Sequence, residues 1–163
     1  MHTVTITPAQ LLSIASLAPF AAKPNGVLPL IIAGIEVKVD QSRITASATD
    51  RYRIAEVSFA HEDSQVYEEF SMVIPTKTLV EFAKTAKTKT ALSNPSITLT
   101  LHNLTVTLSN ADTGNSVTTG TVTGTYPPLT KLFTGRESGE TSAVVINPAY
   151  VADLTKLIDP RGN

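Results

Sequence analysis

The 163-residue chain sets 13 Lys and Arg against 14 Asp and Glu, for a net charge of −1, and is 42% hydrophobic and 17% charged. That balance supplies a core and excludes intrinsic disorder, and it removes strongly basic classes such as histone-like or polybasic membrane-surface proteins without excluding a local basic patch. Zero Cys and zero Trp exclude a disulfide scaffold, a Cys-ligated metal and thiol catalysis, and argue against a stacking platform for single strands.

Val4-Thr5-Ile6-Thr7-Pro8 reads as a short β-branched strand running into a helix. Thr7 is the N-cap, and Pro8 takes the first helical position, where its missing N–H costs nothing. Residues 8–22 are apolar, but no Lys or Arg precedes them and Gln10, Ser13 and Ser16 interrupt them. They are therefore read as a helix of the fold, with those three residues outward, and not as a leader or a membrane span. Strand-like runs follow at 28–39, 43–49 and 53–59, separated by Asp40-Gln41 and the Asp50 region.

Met72-Val73-Ile74-Pro75 then opens a second strand and helix, with Thr76 as a less regular cap. The helix is expected from Thr76 to about Lys89, with Leu79, Phe82, Ala83 and Ala86 as its buried stripe. Strands follow at 96–101, 104–109 and 116–123. Ile97, Leu99 and Leu101 alternate with polar residues, as do Leu104, Val106 and Leu108, and His102-Asn103 is expected as the hairpin turn. Val144-Val145-Ile146-Asn147-Pro148 opens the pattern a third time, with Asn147 as cap and Tyr150, Val151, Leu154 and Leu157 as the apolar stripe.

The prolines recur roughly every 70 residues, the size of one αβ subdomain. The expected fold class is therefore α+β, a duplicated unit of strand, helix and three-stranded meander. The third copy has only its strand and helix before Pro160 and Gly162. One strand and one helix cannot bury both apolar faces, so the natural chain is expected to be longer.

Enzymatic constellations are missing from the pattern. His2, His61 and His102 lack ligand spacing, His61-Glu62-Asp63 reads as a solvated linker, and Glu68-Glu69 reads as an exposed pair. Gly114, Gly120 and Gly124 make no phosphate loop, and no nucleophile elbow occurs. Asn103-Leu104-Thr105 fits a glycosylation sequon, on the hairpin of a chain read as non-secreted. Neither catalysis nor a metal or cofactor is expected. Lys77 and Lys84 lie one heptad apart on the polar side of the second helix, with Lys87 flanking and Glu81 the only acid. Such a row serves solubility alone, or it contacts phosphate.

Four segments carry a family resemblance. Ala48-Thr49-Asp50-Arg51-Tyr52-Arg53-Ile54-Ala55, Ile74-Pro75-Thr76-Lys77-Thr78-Leu79 and Gly124-Thr125-Tyr126-Pro127-Pro128-Leu129-Thr130-Lys131-Leu132-Phe133 resemble, in order and spacing, segments of the bacterial DNA sliding clamp, the β-clamp processivity factor. Lys23-Pro24 with Leu28-Pro29-Leu30 is similar to the helix-to-strand loop of the first clamp domain. Pro128, Leu129 and Thr130 depart from the family pattern, which suggests a phage or mobile-element member.

The resemblance implies a clamp-like domain at 1–134, in half-units 1–63 and 64–134, and the linker and opening of a following domain at 135–163. It implies a cytoplasmic, non-enzymatic protein that self-associates into a ring around double-stranded DNA. Lys23, Lys77, Lys84 and Lys87 would face the duplex. Ile32, Thr49, Tyr52, Arg53, Ile54, Pro127, Lys131 and Leu132 would form half of a groove for short hydrophobic peptides of DNA polymerase and clamp loader. Two alternatives stand beside it: a Thr-rich, virion-type structural β-repeat protein, and a small hydrolase.

Overall fold

The computed structural model describes residues 1–24, 26, 30–61, 66, 68–86, 94–129 and 147–157. Its first half-unit comprises β1 (His2–Ile6), α1 (Pro8–Ala15), β2 (Gly34–Val39), β3 (Arg43–Thr49) and β4 (Ile54–Ala60). The second comprises β5 (Phe70–Pro75), α2 (Thr76–Thr85), β6 (Ile97–His102), β7 (Thr105–Asn110) and β8 (Ser116–Gly120), and α3 (Pro148–Leu154) follows. The α+β duplication expected from the patterning is present. The strand expected at Val144-Val145-Ile146 lies outside the described residues.

The half-units do not fold separately. One four-stranded sheet runs β1-β6-β7-β8 and the other β4-β3-β2-β5, so each meander receives the opening strand of the other half. Every pairing is antiparallel, and the registers align apolar rows: Val4 faces Leu99, which faces Leu108, while Val37 lies between Ala46 and Met72. Because side chains alternate across a strand, these residues share one face, and Thr98, Thr100 and Thr107 take the other. The helices pack against each other, α1 also reaching β4 and α2 reaching β8. Leu11, Ile14, Leu79, Phe82 and Ala83 join both sheets in one continuous core.

A capping box starts α1: the Thr7 hydroxyl accepts from Gln10 N at 3.1 Å, and the Gln10 side chain accepts from Thr7 N at 2.8 Å. Thr76 does not cap α2; its hydroxyl donates to the Ala33 carbonyl at 2.6 Å and ties the helix start to the end of a 3₁₀ turn, Leu30–Ala33. That turn corrects the expected 28–39 strand, which begins only at Gly34, because the Ile32 carbonyl is already held by Ala22 N at 2.9 Å. Ser13 is fully buried where exposure was expected, a small residue on a helix in contact with its neighbour. The β6–β7 turn is Asn103-Leu104, one residue later than expected, with Asn103 taking the positive φ.

After β8 the chain crosses to the other sheet. Val122 N donates to the Val73 carbonyl at 2.9 Å, and Val73 N donates to the Thr121 hydroxyl at 3.1 Å. The β5 edge is thereby covered and the two sheets are joined.

Candidate nucleic-acid face and partner groove

The basic face is built by α2. Its buried stripe of Leu79, Phe82 and Ala83, continued by Ala86 at the C-cap, faces the core, which leaves Lys77 and Lys84 exposed on the opposite side. Lys77 stands 4.0 Å from Glu81, but with its side chain 86% exposed the pair is weak and leaves the ammonium available. Lys23, in the loop after α1, is also exposed, and it lines the same open apolar groove as Lys77, a space of about 560 Å³ shared with Leu30, Val80 and Val122. The fold thus brings Lys23 to the N-terminal end of the α2 lysine row. Lys87 lies outside the described residues. Alpha-1 carries neither acid in its first turn nor base in its last.

The groove residues are also assembled from distant segments. Ile32 is buried in a small apolar cluster with Ala22, Ile31, Val73, Tyr126 and Leu129, and Ile54 packs against it. Tyr126 anchors the closing segment by donating its hydroxyl to the Ser47 carbonyl at 3.2 Å. Burial, and then the nearby Glu36 carboxylate, push the Tyr126 hydroxyl to a pKa well above its ordinary value. Pro127 is half-buried beside it and its carbonyl accepts from Leu129 N at 2.8 Å. Leu129, part of the departure from the family pattern, supplies apolar fill. Residues 49–54 and the start of 126–133 are therefore neighbours. Lys131 and Leu132 lie outside the described residues.

The β3–β4 turn fixes the rest. The Thr49 hydroxyl donates to the Arg53 carbonyl at 2.9 Å and accepts from Arg51 N at 3.1 Å, so Thr49 braces the turn from a buried position. One Asp50 oxygen accepts from the backbone N–H groups of Tyr52 and Arg53. Arg51 adopts a φ of 81°, a left-handed conformation uncommon for a non-glycine residue, and Tyr52 stands out of the turn 81% exposed. Arg53, which the resemblance assigns to the groove, is engaged within the chain. It bonds Asp50, the Pro19 carbonyl and Asp153, and its guanidinium lies over the Phe20 and Tyr150 rings. The Asp153 hydrogen bond, ahead of Asp50, holds the guanidinium pKa above its ordinary value against the opposing effect of burial. Phe20, Asp153 and Tyr150 are partners that pattern reasoning did not identify; the aromatic at 20 lies just beyond the α1 stripe, and nothing in its spacing pairs it with residue 53.

Two of the histidines make structural contacts. His2 stacks on Phe70 with ring centroids 4.9 Å apart, and His61 Nε2 lies 2.7 Å from the Asp40 carbonyl. Among the described residues no cluster of three His, Asp or Glu side chains is placed to hold a metal, and no helix is long and apolar enough to cross a membrane.

The family model of the DNA polymerase III beta subunit, central domain, matches residues 5–128. The chain belongs to that family. The match takes in the helix pair, both sheets and the Ala48–Ala55 and Ile74–Leu79 segments, and it points to the central domain, where the Lys23 loop alone pointed to the first. The beta sliding clamp of Micrococcus luteus is 32% identical over 133 residues, 80% of this chain and 40% of that protein. Among solved structures, the sliding clamp of Bacillus subtilis superimposes with a TM-score of 0.67 at 24% identity, covering 80% of this chain and 32% of that one. The beta subunit from DNA polymerase of Streptococcus pyogenes gives 0.67 at 20% identity, over 83% and 34%. A sliding clamp of Pseudomonas aeruginosa bound to griselimycin gives 0.68 at 16% identity, over 85% and 35%. The chain thus spans two-fifths of the curated clamp and about a third of each solved one. Clamp-family membership does not favour the virion-type alternative.

Proposed function

We propose that residues 1–134 act as one domain of a DNA sliding clamp, a non-enzymatic, cytoplasmic processivity factor, and that residues 135–163 open the following domain. In this reading several such domains close into a ring around double-stranded DNA. What supports it most directly is the pair of adjacent helices backed by two joined sheets, with Lys77 and Lys84 turned away from the core and Lys23 beside them. Lysine suits that surface: a mobile point charge meets phosphate without reading a base, so the contact can be exchanged continuously as the ring moves. Each contact is weak, and retention comes from encirclement.

In this reading the cluster of Ile32, Ile54, Tyr126 and Leu129, with the exposed Tyr52, would form one side of the partner groove, to which the family motif also assigns Lys131 and Leu132. It would take short hydrophobic peptides of DNA polymerase and clamp loader. A micromolar peptide corresponds to about −8.2 kcal/mol, within reach of one or two buried anchors.

The test is duplex binding as a function of salt. Affinity for linear duplex is expected on the order of 10⁻⁴ to 10⁻⁶ M, falling steeply as salt rises. Replacing Lys23, Lys77 and Lys84 by Ala should flatten the logarithmic slope by about 0.9 for each phosphate no longer neutralised. An unchanged slope would place these lysines on a merely solvated surface.

A further inference from the structure

Arg53 draws together three separated parts of the chain. Its Nε donates to Asp50 Oδ2 at 2.9 Å, its Nη2 to the Pro19 carbonyl at 2.7 Å, and its Nη1 to the Asp153 carboxylate. The guanidinium carbon also lies 5.1 Å from the Phe20 ring centroid and 4.8 Å from that of Tyr150. Pro19 and Phe20 follow α1, Asp50 belongs to the β3–β4 turn, and Tyr150 and Asp153 lie on α3. Every guanidinium nitrogen is engaged, and both Asp153 oxygens are too, because the second accepts from Lys156. The Arg53 and Asp153 side chains are only 19% and 16% exposed, so this ion pair is shielded in a way that surface pairs are not.

Among the described residues, α3 has few other contacts to hold it. It has seven residues and none of them is buried, while an isolated helix in water needs about 12–15 residues to persist. Val151 and Leu154 are exposed, so its apolar stripe faces solvent in part. Asn147 caps its start, and Leu157 just beyond it packs against the main core. Between those ends, the aromatic and the acid that α3 turns inward both meet Arg53.

We propose that Arg53 is a clasp between the domain and the segment that follows it: a positioning residue that fixes where α3 leaves the first 129 residues, and that is not a free donor for a partner. The clasp stands independently of whether the chain encircles DNA or binds a peptide. It requires arginine specifically. Three directed hydrogen bonds together with two ring faces need a planar fork, which the single ammonium of lysine cannot supply.

The test uses the complete 163-residue chain. Amide hydrogen exchange is followed at residues 152–157, and the Arg53 side-chain resonances are followed by NMR, in the parent and in Tyr150→Ala, Asp153→Asn, Arg53→Lys and the Arg53→Lys/Asp153→Asn double variant. Removing a shielded charged hydrogen bond should speed exchange in this segment by about tenfold or more in each single variant. The double variant should exchange no faster than the worse single one, because both substitutions break the same ion pair. Tyr150→Ala should also remove the Tyr150 part of the ring-current shift on the Arg53 side chain and leave the part due to Phe20. Tyr150→Ala and Asp153→Asn alter only exposed or half-buried α3 positions, so β3 and β6 amides should keep their parent protection, and that control separates loss of the clasp from loss of the fold. Unchanged exchange at 152–157 in these two variants, or additive effects in the double variant, would overturn the assignment.

Discussion

Glu36 sits at a strand position that alternation turns outward, yet it is only 7% exposed. The closing segment that brings Tyr126 onto β3 lies against it, and its neighbours are Lys38 at 3.2 Å and Glu56 across the sheet. Burial raises its pKa above the ordinary 4.5; Lys38 opposes that rise and Glu56 adds to it. A carboxyl with a raised folded pKa binds its proton more tightly when folded, so it favours folding in acid and opposes it once ionised. Glu36→Gln should therefore raise the thermal midpoint at pH 7, and the advantage should shrink as pH falls through the raised folded pKa toward 4.5 and be lost below it. Melting curves from pH 7 to pH 3 decide this, and a variant less stable at every pH would mean that the Lys38 pair outweighs desolvation. Alternation alone could not reveal this burial, because the residues that cover Glu36 arrive from 121–126. Arg53 is obscure for the same reason: its motif position is legible, but its partners at 19–20 and 150–153 belong to no shared pattern.

Among the elements, those with strict periodicity are legible in the sequence, whereas their pairing partners are not. The Ile97-Leu99 and Val106-Leu108 alternations define faces, and the α2 stripe defines which side the lysines take. None of these patterns states that β1 pairs with β6 and β5 with β2, because an exchanged opening strand presents the same faces as a local one. The 28–39 run shows the limit of hydrophobicity as a signal: six of its residues form β2, whereas Leu30–Ala33 forms a 3₁₀ turn that delivers Ile32 to the small cluster. Gly34 marks that boundary. A Cβ there would stand 2.5 Å from Val73 Cγ1 and 3.0 Å from the Ile74 carbonyl oxygen, and the second neighbour is backbone. Gly34→Ala should destabilise the chain by about 1–3 kcal/mol, the usual range for overpacking, read as a lower urea midpoint with unchanged slope. An unchanged midpoint would show that β5 yields at Val73.

At the scale of the whole molecule, the exchanged strands make the two half-units one body, with the helix pair on one side and threonine-bearing strand faces on the other. This arrangement puts the exposed lysines of α2 on the helical side and leaves Tyr52 exposed in the turn before Ile54, which packs against the small cluster. The α2 lysines can be placed from heptad spacing, whereas the convergence of Lys23 with Lys77 needs the fold. On the proposed reading, a surface of so few positive charges in a chain of net −1 holds linear duplex only weakly, and retention is topological. The longest natural protein containing this chain, loaded with its clamp loader onto a singly nicked circular duplex, should stay bound through a high-salt wash that strips it from linear duplex. Cutting the circle should then release it. Loss from circle and linear DNA alike, or retention after cutting, would contradict encirclement.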